Sequence, residues 1–90
     1  MRLIFSARSW EDYRFGQDND RALMTRINAL IADTLRHPFQ GVGKPEPLRN
    51  EMAGWWSRRI NDEHRLVYRV SGTGDVQALE IASCRFHYRK

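Results

Sequence analysis

The sequence predicts an α+β domain in which two N-terminal helices pack on one face of a small, twisted and mainly antiparallel sheet. Two patterns predict this class. Apolar side chains recur every three to four positions between Leu23 and Leu35, which is the spacing of an amphipathic helix. Between Arg65 and Val70 the side chains alternate as in a strand with one buried face. The length of 90 residues leaves room for one domain, residues 1–90, with a small core.

The N-terminal segment predicts a strand followed by a helix. Residues 2–6 are mostly apolar and form the first expected strand. A helix is expected from about Ser9 to Gln17, because Ser9 has Asp12 three residues further on, a spacing typical of a capped helix start. The chain should therefore enter its first helix at Ser9.

The second helix has the strongest periodic signal of the chain. The segment Asp18–Asp20 interrupts the first helix and offers an N-cap for the second. The second helix should end at His37–Pro38, because a residue that precedes proline resists the α conformation. The next segment, residues 39–48, is rich in Gly and Pro and predicts an irregular loop. Long loops in small domains often carry function, and this one contains Glu46.

The C-terminal half predicts three strands joined by short turns. The first covers residues 54–60 and turns at Asn61–Asp62 into the second, residues 64–70. A hairpin loop at residues 71–75 leads to the last strand, at about residues 77–86. The order strand, helix, helix, loop and three strands suits a two-layer packing in which one face of the sheet stays open.

Composition points to a polyanionic partner and against a membrane protein. The chain is 41% hydrophobic and 29% charged, which is too apolar for a disordered chain and too charged for a membrane one. Thirteen of the fifteen basic residues are Arg, and residues 44–90 carry most of the net charge of +4. Because Arg suits phosphate groups and stacks on bases, nucleic acid is the simplest partner. The expected location is the cytoplasm.

Aromatic side chains and the single cysteine have separate interpretations. Trp55 or Tyr88 could stack on a base, whereas Trp10 and Trp56 are expected in the core. The one cysteine, Cys84, excludes an internal disulfide and a Cys-rich zinc site. Within a predicted strand it is expected to be a small core residue and not a nucleophile.

Two arginines are predicted to lie close together on the polar face of the sheet. Alternate residues of a strand share a face, so Arg65 lies on the face opposite Leu66, and Arg59 shares a face with Ser57. The turn at Asn61–Asp62 would bring the two arginines together, where they repel each other unless an anion lies between them. Each could instead pair with Asp or Glu, and the sequence leaves both possibilities open.

Glu46 and His87 complete a set of side chains suited to cutting RNA without a metal or cofactor. Such cleavage needs a base for the ribose 2′-OH, an acid for the leaving 5′-oxygen and a cation for the charge on phosphorus. A carboxylate, an imidazole and a guanidinium supply these roles. Spacing does not establish that Glu46, Arg65 and His87 converge, and each alone is more often a surface residue. His37 and His64 are assigned no catalytic role.

Four segments spread along the chain form a specific set of motifs. They are Gly43–Leu48 (GKPEPL), Trp56–Ile60 (WSRRI), Glu63–Tyr68 (EHRLVY) and Cys84–Tyr88 (CRFHY). In this order they resemble the YoeB (Txe) family of bacterial toxins, which belongs to the RelE/ParE superfamily. The chain differs from many members by its last two residues, Arg89 and Lys90, and by a longer hairpin loop at residues 71–75.

The resemblance implies a microbial-ribonuclease-like fold and a toxin of a type II toxin–antitoxin pair that cuts mRNA in the ribosomal A site. It implies that Glu46 is the general base, Arg65 the transition-state cation and His87 the general acid. Tyr88 would orient or stack on the substrate, and Arg59 matches the second active-site arginine of the family. Lys44 and Arg49 lie where the family has basic contacts to RNA. Apart from the resemblance, Trp55 as a stacking ring and Arg89 and Lys90 as basic side chains are further contacts expected with RNA or the ribosome.

The resemblance also implies partners. A YefM/Phd-type antitoxin would cover the active face with an acidic, flexible segment, and the toxin would form a homodimer or a toxin–antitoxin hetero-oligomer. The toxin–antitoxin complex would bind operator DNA through the antitoxin. Two other functions remain open: a ParE-like toxin that inhibits a target such as gyrase by binding, and a plain RNA-binding module. Neither needs Glu46, His87 and Tyr88, so their presence favours the enzyme.

Overall fold

Two helices follow the first strand. The computed structural model describes residues 1–86, in which α1 spans Ala7–Asn19 and α2 spans Arg21–Arg36. Asp20 lies between the helices, and its side chain accepts a hydrogen bond from the Leu23 N–H at 3.0 Å. The N-cap of the second helix is therefore Asp20, the last residue of the segment that was predicted to supply it. Neither helix of the described chain is long and apolar enough to cross a membrane.

The N-cap of α1 is Ser6, and the prediction of Ser9 was wrong. Ser6 has an extended backbone (φ −70°, ψ 165°), and its Oγ accepts the Ser9 N–H at 3.1 Å. An N-cap residue needs this extended conformation ahead of the first turn, and Ser6 has it because it directly follows a strand. Ser9 consequently lies inside the helix, where it is fully buried and its Oγ donates to the Ser6 carbonyl.

Within residues 1–86, five strands form one sheet in the order β1-β5-β4-β3-β2. The strands are β1 (Arg2–Phe5), β2 (Glu46–Pro47), β3 (Trp56–Arg59), β4 (Arg65–Ser71) and β5 (Ala78–Ser83). β1 runs parallel to β5, and all other neighbours are antiparallel. The predicted class, two helices against a mainly antiparallel sheet, is confirmed.

Strand β2 corrects the prediction that residues 39–48 lack regular structure. Glu46 pairs with Ser57 and Pro47 pairs with Trp56 at the edge of the sheet. Proline is tolerated in an edge strand, because one side of that strand has no ladder hydrogen bonds to lose. The short strand brings Glu46 into the sheet next to β3.

The core lies between the helices and one face of the sheet. Its buried residues from α2, β4 and β5 include Leu23, Ile27, Leu30, Ile31, Leu66, Tyr68, Leu79 and Ile81. Trp56 packs against this core, as predicted. Trp10 does not: its side chain is 48% exposed and contacts Phe5 and Tyr13. The reason is that Trp10 faces β1, an edge strand, and not the central strands.

Cys84 is a buried core residue, as predicted. It is 1% exposed, and its backbone N–H donates to Asp12 of α1 at 3.1 Å. Burial raises the pKa of the Cys84 thiol to about 12. The thiol is therefore protonated near neutral pH and is a poor nucleophile.

Candidate functional site

The face of the sheet opposite the helices carries a cluster of charged side chains. Arg59 pairs with Arg65 across β3 and β4, and Glu46 of β2 lies opposite Ser57 of β3. Directly opposed side chains share a face and lie about 4.5–5.5 Å apart at Cβ. A depression of about 110 Å³ on this surface is lined by Lys44, Glu46, Ser57, Arg59 and Arg65. We call these five residues the arginine cleft.

The centre of this face is covered, which corrects the expectation that the whole face is open. Val67 of β4 is only 1% exposed. It lies between two paired neighbours, Ser57 on β3 and Ser83 on β5, because β4 is an inner strand of the sheet. The accessible charged side chains of this face therefore lie on either side of Val67, with Arg59 and Arg65 towards one end of β4 and Arg69 towards the other.

The two arginines of the cleft have no acidic partner among the residues that the structure describes. Within residues 1–86, no carboxylate lies within ion-pair distance of Arg59 or Arg65. Arg65 Nη1 donates instead to the carbonyls of Asn61 at 2.6 Å and His64 at 3.0 Å. These bonds orient the guanidinium without neutralising it. Since the three basic side chains of the cleft outnumber its one carboxylate, the cleft suits an anion.

Gly43 holds the loop before β2 against β3. Its φ is 85°, and its carbonyl accepts the Arg59 N–H at 2.6 Å. A Cβ at this position would lie 2.9 Å from Leu30 Cδ2 and 3.1 Å from the Arg59 carbonyl, so only glycine fits without movement. This close approach places Lys44 and Glu46 beside Arg59.

Arg58 lies on the opposite face of the sheet, fully buried. Its Nη1 donates to Asp33 Oδ2 at 2.6 Å, and its Nε donates to Tyr68 Oη at 3.2 Å. Tyr68 Oη in turn donates to the Pro38 carbonyl at 2.6 Å.

Arg58 also donates to the carbonyls of His37, Gln40 and Val42. These bonds fasten the loop that leads to β2 onto the core.

The two titratable partners of Arg58 have shifted pKa values. The hydrogen bond from Arg58 holds the pKa of the Asp33 carboxyl below its usual value. Burial raises the pKa of the Tyr68 hydroxyl, although Arg58 opposes the shift. At neutral pH Asp33 is therefore charged and Tyr68 is neutral, so that Tyr68 can donate and accept. No three His, Cys, Asp or Glu side chains within the described chain are grouped to hold a metal ion.

Known proteins are similar to this chain over its whole length. A model of the YoeB-like toxins of bacterial type II toxin–antitoxin systems matches residues 5–88. This chain belongs to that family. Toxin YoeB of Escherichia coli (strain K12) is 52% identical over 88 residues, 98% of this chain and 100% of the relative. Toxin YoeB of Synechocystis sp. is 51% identical over 90 residues, 100% of both chains.

Solved structures of YoeB-family proteins have the same fold. The YoeB/ParE toxin from Agrobacterium tumefaciens is 56% identical, with a TM-score of 0.94 over 98% of this chain and 100% of that one. YoeB in a heterotetrameric YoeB–YefM complex from Staphylococcus aureus is 42% identical, with a TM-score of 0.85 over 98% of both chains. YafQ from E. coli shares only the fold. It is 17% identical, with a TM-score of 0.75 over 96% of this chain and 93% of that one. The resemblance to the YoeB family is confirmed.

Trp55 and Arg49, two residues predicted to contact RNA in this YoeB-family chain, lie near the arginine cleft. Trp55 is half-buried, and the guanidinium of Arg69 lies 4.5 Å from the centre of its ring. Arg49 is exposed and lines a second depression of about 500 Å³, formed by residues 46–52. This depression adjoins the cleft through Glu46, which lines both. RNA contacts by Trp55 and Arg49 stay predictions.

Four residues of the predicted site lie outside the described residues: His87, Tyr88, Arg89 and Lys90. Their roles stay predictions. β5 ends at Ser83 and not at Phe86 as predicted, and Phe86 has φ 62°, a conformation that strands do not contain. The Phe86 carbonyl accepts the Arg65 N–H at 2.9 Å. The residue directly before His87 therefore lies beside the arginine cleft.

His64, to which the sequence analysis assigned no catalytic role, lies beside the arginine cleft, directly before Arg65. Its Nδ1 accepts the Phe86 N–H at 2.7 Å, and its Nε2 lies 3.3 Å from Glu63 Oε1. The sequence signal is its position directly before Arg65. That signal is weak, because the partner lies 22 residues away in the chain.

Proposed function

We propose that this YoeB-family chain is an endoribonuclease that cleaves mRNA in the ribosomal A site and thereby inhibits translation. The observation that carries the proposal is the arginine cleft, in which Arg59 and Arg65 lie beside Glu46 without an acidic partner in the described chain. A phosphate between the two guanidinium groups would relieve their repulsion. A carboxylate in the same cleft is suited to accept a proton from the neighbouring ribose.

The proposed reaction is an attack by the substrate on itself. Glu46 takes the proton of the ribose 2′-OH, and the 2′-oxygen forms a bond to the adjacent phosphorus. The bond between phosphorus and the 5′-oxygen of the next nucleotide breaks, and His87 gives its proton to that oxygen. The products are a 2′,3′-cyclic phosphate and a 5′-hydroxyl group. Arg59 and Arg65 donate to the phosphate oxygens, on which negative charge grows in the transition state.

The other predicted residues hold the RNA in place. Tyr88 orients the substrate, and Trp55 offers a ring surface on which a base can stack, a contact typical of single-stranded RNA recognition. Basic side chains neutralise phosphates of the mRNA or the ribosomal RNA. These basic contacts are Lys44, Arg49, Arg89 and Lys90.

An antitoxin is the proposed inhibitor. The S. aureus relative forms a heterotetramer with YefM, and we infer a YefM/Phd-type partner for this chain, in the cytoplasm, whose complex binds operator DNA through the antitoxin. An acidic segment of that partner would match the net positive charge of the cleft. An apolar groove of about 410 Å³ beside β1, which includes Leu3, Phe5 and Trp10, provides further surface that the antitoxin or a second toxin copy would bury.

Mapping of mRNA ends in a translation reaction tests the proposal. Purified toxin is added to a reconstituted translation system with a defined mRNA, and the new 3′ ends are sequenced. We expect cuts within the codon in the A site and 3′ ends that carry a cyclic phosphate. Arrested translation with intact mRNA would contradict the proposal and indicate a toxin that acts by binding alone.

A further inference from the structure

We propose that His64 is a positioning residue that fixes the chain directly before His87, an inference that rests on the proposed ribonuclease function. The Phe86 N–H donates to His64 Nδ1 at 2.7 Å, and the two rings lie 5.4 Å apart. A backbone N–H is always a donor, so Nδ1 must be the unprotonated, accepting nitrogen of the ring. His64 thus links the start of β4 to the end of the described chain.

Both nitrogens of the His64 ring are engaged. Because Nδ1 accepts, the proton of the neutral ring is on Nε2, which lies 3.3 Å from Glu63 Oε1. A carboxylate close to Nε2 favours the tautomer in which Nε2 carries the proton, and so it leaves Nδ1 as the accepting nitrogen. The side chain is only 12% exposed, so water competes poorly for Nδ1.

The backbone of His64 is also held in place. Its N–H donates to Asn61 Oδ1 at 2.7 Å, and its carbonyl accepts the Ile60 N–H at 3.0 Å. The same carbonyl accepts Arg65 Nη1 at 3.0 Å. The acceptor for Phe86 is therefore part of the rigid turn that orients the guanidinium of Arg65.

Phe86 needs external support because of its backbone conformation. Its φ of 62° lies in the left-handed region, which bulky residues rarely adopt and which persists when surrounding contacts hold it. Two hydrogen bonds do so: the N–H donates to His64, and the carbonyl accepts the Arg65 N–H at 2.9 Å. Loss of the His64 acceptor removes one of these bonds. Phe86 then relaxes, and the position of His87 changes with it.

Three variants separate positioning from general structure. His64→Leu removes the nitrogen that accepts the Phe86 N–H and replaces the ring by a side chain of similar volume. In His64→Asn an amide oxygen lies the same number of bonds from the backbone as Nδ1 and can accept the Phe86 N–H. His37→Leu is the matched control, since His37 is exposed at the end of α2. Each variant is measured for cleavage of ribosome-bound mRNA in a single turnover, for ribosome affinity and for hydrogen exchange at the Phe86 amide.

We expect His64→Leu to lower the cleavage rate at saturating ribosomes by up to about 10²-fold, the effect of misplacing a reacting group by about 1 Å. Ribosome affinity should be unchanged, and exchange at the Phe86 amide should be faster. His64→Asn should restore both the rate and the protection of this amide. The control should match the wild type in all three measurements.

Other outcomes overturn the inference. Folded His64→Leu that cleaves at the wild-type rate would overturn it. A Phe86 amide that is as well protected in His64→Leu as in the wild type would do the same. So would a variant that loses ribosome affinity but keeps its cleavage rate. If His64→Leu does not fold, His64→Gln takes its place. Its amide oxygen lies one bond further out than Nδ1 and misses the Phe86 N–H. Cleavage by His64→Gln at the wild-type rate would then overturn the inference. A wild-type chain that cleaves no mRNA would instead contradict the proposed function itself.

Discussion

Arg58 and Arg59 are neighbours in the sequence but lie on opposite faces of the sheet. Arg58 is fully buried and pairs with Asp33, while Arg59 is exposed without an acidic partner in residues 1–86. A guanidinium can be buried only when its donors are paired, and Asp33, Tyr68 and three loop carbonyls provide those partners. Two identical side chains therefore differ in role because strand geometry directs them to different surroundings.

The proposed roles of Glu46 and His87 predict the effect of removing each titratable group. A general acid or base contributes roughly 10²–10⁴-fold to a rate, so Glu46→Gln and His87→Gln should each lower mRNA cleavage by that factor. Quantitative primer extension on ribosome-bound mRNA measures the loss. Glu11→Gln, an exposed change on α1, should leave the rate unchanged. Near-wild-type cleavage by folded Glu46→Gln would show that Glu46 is not the base.

Strand β3 is the element that organises the site. The side chain of Arg58 binds carbonyls of the loop between α2 and β2, and the N–H of Arg59 binds the Gly43 carbonyl of the same loop. Two consecutive residues of one strand thus hold the loop from its two sides. Because β3 also pairs with β4, it sets the position of Glu46 relative to Arg65.

The ion pair that ties this loop to the core predicts a pH dependence of stability. The folded-state pKa of Asp33 is lowered by Arg58, whereas an unfolded carboxyl titrates near pH 4. The stability that the pair contributes is present above that pH and is lost as the pH falls through the lower, folded-state pKa. We expect Asp33→Asn to lower the free energy of unfolding at pH 7, since it leaves a buried guanidinium without its counter-charge.

Urea denaturation at a series of pH values tests this expectation. As the pH falls below about 4, the wild type should lose stability more steeply than Asp33→Asn, which has one titrating carboxyl fewer. Asp18→Asn, an exposed change near the end of α1, is the control and should follow the wild type. Parallel curves for the wild type and Asp33→Asn would mean that the Asp33 pair does not contribute to acid unfolding.

At the scale of the whole molecule, the arginine cleft, at about 110 Å³, is small for a flexible substrate. Cleavage requires the 2′-oxygen in line behind the phosphorus, and ordering a single strand into that geometry is entropically costly. A chain of 90 residues has little surface with which to hold several nucleotides. A ribosome that already holds the codon would remove much of this cost.

This argument predicts a strong dependence on the ribosome. The wild type should cut ribosome-bound mRNA much faster than free RNA. Neutralising Lys44 and Arg49 together should weaken ribosome binding and reduce the slope of log affinity against log salt by about 1 for each lost phosphate contact. Binding and cleavage are measured for both substrates at two salt concentrations. A double variant of Arg8 and Arg14, exposed on α1, should retain the wild-type slope.

Equal rates on free and ribosome-bound RNA would contradict this prediction. They would indicate an ordinary small ribonuclease for which the ribosome is not a cofactor. An unchanged salt slope in the Lys44 and Arg49 variant would show that these two side chains do not contact phosphates in the complex.

The sequence by itself determined the features whose causes lie within a few residues. Helix α2 has its N-cap at Asp20, within the predicted segment 18–20, and ends before Pro38, since caps and proline act on the adjacent turn. The alternation around Leu66 and Tyr68 identified the side of β4 that packs in the core beneath the helices. The neighbouring positions of Arg59 and Arg65 followed from one tight turn and the period of a strand.

The tertiary structure decided the features that depend on contacts between distant residues. The parallel pairing of β1 with β5, the burial of Arg58 against Asp33 and the bond from Phe86 to His64 each join segments far apart in the chain. Local pattern carries no information on such partners, because the same side chain is stable in either environment once a partner is supplied. The placement of Glu46 beside the two arginines is of this kind: it depends on β2, a strand whose proline-rich sequence predicts a loop and whose pairing only β3 provides.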